Sequence, residues 1–110
     1  MMRLLEEYLV DVDYPTVSGI EHLDMLEKRT QLAVVEDELS SDEKQALALA
    51  DQKLLSQVEQ FHAELQRFVN LDDERKSRSI NPDWWWWYLD VLVKVPTFSP
   101  GNRNTDPVST

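Results

Sequence analysis

Between Leu47 and Phe68 the apolar side chains recur at alternating steps of four and three. Leu47, Leu54, Val58, Phe61, Leu65 and Phe68 share this row, and Asp51 holds its one polar place. A period near 3.5 with no glycine or proline inside predicts a helix over 41–69, with a seam that faces another helix. Ser40 and Glu43 stand three apart at its start, the spacing of a capping box. At 1.5 Å per residue this helix is about 42 Å long.

Upstream, Ile20, Leu23, Leu26, Thr30, Ala33 and Val34 form a second stripe. It predicts a helix over 19–36 opened by a capping box of Ser18 and Glu21. The short link between the two segments makes an antiparallel hairpin the simplest pairing. The second helix is too short to cover Phe61, Leu65 and Phe68, so another element must do so. Residues 2–12 supply one candidate, with Leu4, Leu5, Tyr8, Leu9 and Val12 on one helical face. Residues 8–14 also alternate like a strand, and Pro15 ends either form. Residues 70–80 are strongly charged and read as a connection, with the basic island from Arg75 to Arg78 neutralised by the acids before it.

The stretch "INPDWWWWYLDVLVKVP" admits two forms. As a helix, Asn81 caps it, Pro82 occupies the first turn, and Asp90 pairs with Lys94. As a strand, residues 84–95 would pair with residues 8–14 and make the fold α+β. The helix is favoured because a strand has only that one partner. The expectation is a mainly all-α, small helical bundle built on an antiparallel hairpin. It forms a single domain over 1–96, with a flexible or surface-draped tail over 97–110.

Four consecutive helical residues sweep roughly 300° of the circumference, so one core cannot take all four indoles. Asp83, Asp90 and Lys94 mark the solvent side of such a helix. This places Trp86 and Trp87 outward and leaves Trp84 and Trp85 to fill the far end of the seam. Two exposed indoles present about 300–500 Å² of apolar surface, the size of patch that is often functional. Trp84, Trp85, Trp86, Trp87 and Tyr88 are therefore the candidate interface.

Charge adds a second candidate surface. The 110 residues carry a net charge of −10, and residues 1–43 hold 12 acidic and 3 basic side chains. Glu36, Asp37, Glu38, Asp42 and Glu43 concentrate it. Such a surface repels nucleic acid and anionic lipid, so neither a nucleic-acid nor a membrane partner is expected. Cysteine is absent, which excludes disulfides, thiolate zinc sites and cysteine nucleophiles and suits a cytoplasmic protein.

Catalytic signatures are lacking. Gly19 and Gly101 stand alone, so no phosphate-cradling loop is formed. His22, beside Glu21, reads as a solvated histidine at a helix start. Glu59 and His62 have E-x-x-H spacing, which resembles ferritin-like di-iron bundles in this tetrapeptide alone. A single copy implies a carboxylate–histidine metal site only across a dimer, and no catalytic residue, cofactor or metal is expected. The function that remains is a non-enzymatic interaction, scaffold or adaptor module presenting a Trp-rich surface. Its partner would be a protein, either itself in a homodimer or another chain. The alternative is an acidic inhibitor or nucleic-acid mimic that binds a basic target.

Overall fold

Two helices, rather than one, carry the seam that begins at Leu47. In the computed structural model, which describes residues 2–94, the chain is mainly helical. Its α-helices are α1 (Arg3–Asp11), α2 (Gly19–Val34), α3 (Ser41–Ser56), α4 (Val58–Leu65), α5 (Leu71–Arg78) and α6 (Leu89–Leu92). Short 3-10 turns cover Glu36–Glu38 and Trp85–Tyr88. The described residues contain no strand, so the pairing of residues 84–95 with residues 8–14 is not formed. Residues 85–92 of the first segment form a 3-10 turn and α6, and residues 8–11 of the second belong to α1. The tail over 97–110 lies outside the described residues.

The expected helix over 41–69 is interrupted at Gln57, whose φ of −120° and ψ of 24° leave the helical region. Its side-chain amide donates to the carbonyls of Lys53 and Val12, each at 3.2 Å, and so ties the break to the end of α1. Leu47, Leu54, Phe61 and Leu65 are buried as the seam predicts. Phe68 is not. Helix α4 stops at Leu65, the chain turns, and Phe68 is 58% exposed.

Helices α2 and α3–α4 form the antiparallel hairpin. Gly19 lies against Glu64 and Leu65, the His22 ring is 4.7 Å from that of Phe61, and Arg29 reaches Asp51. Rising numbers on one side thus meet falling numbers on the other. Helix α1 packs across both α2 and α3 and buries Leu5, Tyr8 and Val12 between them.

Cap geometry accounts for the helix starts. Ser40 and Glu43 make the reciprocal box, with Oγ accepting from Glu43 N at 3.1 Å and Glu43 Oε1 accepting from Ser40 N at 2.9 Å. Ser18 caps α2 differently, since its Oγ accepts from Ile20 N rather than from Glu21. The charged connection proves to be helix α5. Asn70 Oδ1 caps it, acids fill its first turn and bases its last, the arrangement that opposes the helix dipole. Asp72–Lys76 and Glu74–Arg78 are its i,i+4 ion pairs.

Candidate functional site

The tryptophan run is neither of the two forms expected. Asn81 Oδ1 accepts from Asp83 N at 2.8 Å and its carbonyl accepts from Trp84 N, so the chain turns at Pro82 rather than starting a helix there. The 3-10 turn Trp85–Tyr88 follows, then α6. With three residues per turn, positions three apart stack above one another. Trp86 and Leu89 therefore point together into the core, while Trp85 and Tyr88 lie together at its edge.

This reverses the expected division of the indoles. Trp86 and Trp87 are buried, at 2% and 1% exposure. Trp84 and Trp85 are half-buried, as is Tyr88. The inference that Trp86 and Trp87 face solvent rested on an α-helical phase through Asp90 and Lys94, and the backbone does not keep that phase. Asp90 pairs instead with Arg75, at 2.7 Å and 3.1 Å.

A polar frame holds the two buried rings. Thr30, on α2, uses every hydrogen-bonding capacity of its hydroxyl. It donates to the Leu26 carbonyl at 2.9 Å and accepts from Trp86 Nε1 at 2.9 Å and Trp87 Nε1 at 2.8 Å. Arg29, the residue before Thr30, is only 5% exposed. Its Nε and Nη2 donate to Asp51 at 2.9 Å and 3.0 Å, and Asp51 also accepts from the Tyr8 hydroxyl at 2.7 Å. The lone polar residue of the seam is thus the counter-ion of a buried arginine. Burial, with Asp51 alongside, pushes the Tyr8 hydroxyl well above its ordinary pKa, so it stays a donor. Arg29 Nη1 has no acceptor among the described residues. The face of Trp86, 4.3 Å from the guanidinium carbon, is what the site offers that cation instead.

Two further arginines grip the run from α5. The guanidinium of Arg75 lies 4.6 Å over Tyr88, and Nη1 donates to the Trp87 carbonyl at 2.9 Å. Burial pushes Asp90 up, but the hydrogen bond and charge of Arg75 outweigh it and hold the carboxyl below its usual range. Arg78 sits 4.9 Å over Trp87. The basic island read as a neutralised loop is therefore part of the frame. Trp84 stacks on Trp86 at 6.0 Å and 20°, and Trp85 meets it edge-on at 5.6 Å and 89°. The half-exposed indoles rest on a buried one.

The acidic residues divide. Glu36, Asp37, Glu38 and Asp42 are exposed. Glu43 is occupied by the α3 cap and by Met2 N at 3.1 Å, and these bonds hold its carboxyl below the usual range. Glu36 Oε1 is 3.8 Å from Arg29 Nη2, so the acidic turn and the tryptophan run meet at one guanidinium. His22 is not solvated. It is 1% exposed, with Nε2 2.9 Å from the Pro15 carbonyl and its ring against Phe61. His62 is half-buried and Glu59 exposed, and no three His, Cys, Asp or Glu side chains gather into a metal-binding group among the described residues. No helix among them is long and apolar enough to cross a membrane.

From sequence Thr30 was read only as a member of the second stripe and Arg75 and Arg78 only as a basic island, and Arg29 was not singled out. Asp51 was the one signal, since a carboxylate inside an apolar row requires a buried partner. The geometry defines a small helical bundle with an aromatic run clamped by three arginines. Comparison with protein families, curated proteins and solved structures finds no match to the chain.

Proposed function

We propose that this chain is a non-enzymatic protein-interaction module, a scaffold or adaptor that presents Trp84, Trp85 and Tyr88 to a protein partner. One observation carries the reading. Trp84 and Trp85 pack on the buried Trp86 yet stay half-exposed, so two neighbouring indoles keep part of their apolar surface in water. The occupant is a protein, a second copy or another chain, and its setting the cytoplasm, which a chain without cysteine suits. The alternative of an acidic inhibitor draws support from Asp37, Glu38 and Asp42, which have no cation within ion-pair distance among the described residues.

Light scattering on wild type and on Trp84→Ser/Trp85→Ser, paired with acrylamide quenching, tests the proposal. A wild-type dimer that becomes a folded monomer on substitution makes the second copy the occupant. A monomer whose quenchable indoles vanish on substitution leaves the face for another protein. A monomer whose indoles are all shielded removes the surface and the proposal with it.

A further inference from the structure

The two surfaces that charge and aromaticity mark separately along the chain are neighbours in the fold. Arg29 touches both, with its guanidinium over Trp86 and Nη2 beside Glu36. Its own charge is already answered by Asp51 at 2.9 Å. Glu36 is thus one guanidinium away from Trp86, on which Trp84 and Trp85 rest, and Asp83, immediately before Trp84, sets a second carboxylate beside the indoles.

The run also shows what its rings take as partners. Arg29 stacks on Trp86, Arg78 on Trp87 and Arg75 on Tyr88. Trp84 and Trp85 have no cation over them among the described residues. An indole face beside carboxylates favours a cation twice, through the ring quadrupole and through the charge.

Among the described residues a second copy offers few cations without an ion-pair partner of their own. Among the described residues Arg3, Lys28, Arg29, Lys53, Arg67, Arg75, Lys76 and Arg78 are all in internal ion pairs, which leaves Lys44 and Lys94. Two copies, each at −10, also repel. We infer that the occupant of the Trp84–Trp85 face is a basic segment of another protein, its Arg or Lys side chains stacking on the two indoles and pairing with Glu36, Asp37 and Glu38. This inference rests on the interface reading above and names its partner.

The test is fluorescence anisotropy with three labelled peptides of equal length, repeats of Arg-Ser, Glu-Ser and Leu-Ser, on the full chain. Wild type, Trp84→Ser/Trp85→Ser and Asp37→Asn/Glu38→Gln are compared, each checked for folding by circular dichroism and for mass by light scattering. The expected result is binding of Arg-Ser alone, weakened by about tenfold in each double variant and again by raised salt. Binding indifferent to Trp84→Ser/Trp85→Ser is attraction to net charge and overturns the inference, as does no binding of Arg-Ser. If Leu-Ser binding or self-association depends on Trp84 and Trp85 while Arg-Ser does not bind, the interface reading stands and the basic partner falls. If nothing depends on Trp84 and Trp85, both fall.

Discussion

The guanidinium carbon of Arg29 lies 4.3 Å from the ring centre of Trp86, and the same side chain forks onto Asp51 through two hydrogen bonds. A side chain of α2 thereby joins α3 to the tryptophan run. Breaking one member of such a buried pair leaves an uncompensated charge, which costs far more than the pair itself contributes. Asp51→Ala should therefore lower the unfolding free energy by about 3–5 kcal/mol in urea titration. Replacing both partners, Arg29→Met with Asp51→Leu, should recover most of that loss.

Thr30 gives a sharper polar test because valine matches its shape. Thr30→Val removes the acceptor that two buried indole N–H groups share among the described residues. An unsatisfied buried donor costs about 1–3 kcal/mol, so a loss of about 2–6 kcal/mol is expected from the pair. Thr30→Ser keeps the hydroxyl and should lose clearly less by the same urea measurement.

Gly19 opens α2, a place where alanine would ordinarily stabilise by helix propensity. Here a Cβ would stand 2.3 Å from the Glu64 carbonyl oxygen and 2.9 Å from Leu65 Cα. Both are backbone atoms and cannot swing aside. Gly19→Ala should thus destabilise by about 1–3 kcal/mol, read as a lower melting temperature.

Burial lowers the pKa of His22, and of His62 as well, below the ordinary histidine value. The hydrogen bond to Pro15 and the charges of Glu64, Glu21 and Asp11 oppose the shift at His22 without cancelling it. The unfolded chain then takes up protons at a higher pH than the folded one. Stability is full above about pH 6.5 and falls as pH drops through the depressed folded values. The urea midpoint should decline between pH 7 and pH 5, and His22→Gln should flatten that decline.

The legible and illegible parts of the fold separate by a physical rule. Leu47, Leu54, Phe61 and Leu65 could be read because apolar residues are buried for their own sake. The Ser40–Glu43 box was equally plain, being local. Helix α2 was found with its phase turned. Its inward face is His22, Met25, Leu26, Arg29 and Leu32, whereas Ile20 and Val34 of the expected stripe are exposed. Two of those inward residues are polar and are buried only because Pro15 and Asp51 receive them, partners that hydropathy does not reveal. Helix α5 carried cap and dipole signals, but its only buried residue is Leu71, so no stripe announced it. The tryptophans were misassigned because the division between Trp84, Trp85 and Trp86, Trp87 depends on a 3-10 turn, a form with no pattern of its own.

Electrostatics near the indoles yields a prediction by ionic quenching. The exposed acids Glu36, Asp37 and Glu38 concentrate cations and exclude anions at short range. At low ionic strength caesium should quench the accessible tryptophan emission more efficiently than its intrinsic quenching power against free indole predicts, and iodide less. Asp37→Asn/Glu38→Gln should narrow the difference, and so should added salt.

The most direct measurement is neutral acrylamide quenching of three proteins: wild type, Trp84→Phe/Trp85→Phe and Trp86→Phe/Trp87→Phe. If Trp84 and Trp85 are displayed on a buried Trp86 and Trp87, the accessible fraction of emission is lost in the first variant. It dominates what remains in the second, provided that variant stays folded. An accessible fraction that survives Trp84→Phe/Trp85→Phe would place the exposed indoles at Trp86 and Trp87 and contradict the arrangement on which the interaction surface depends.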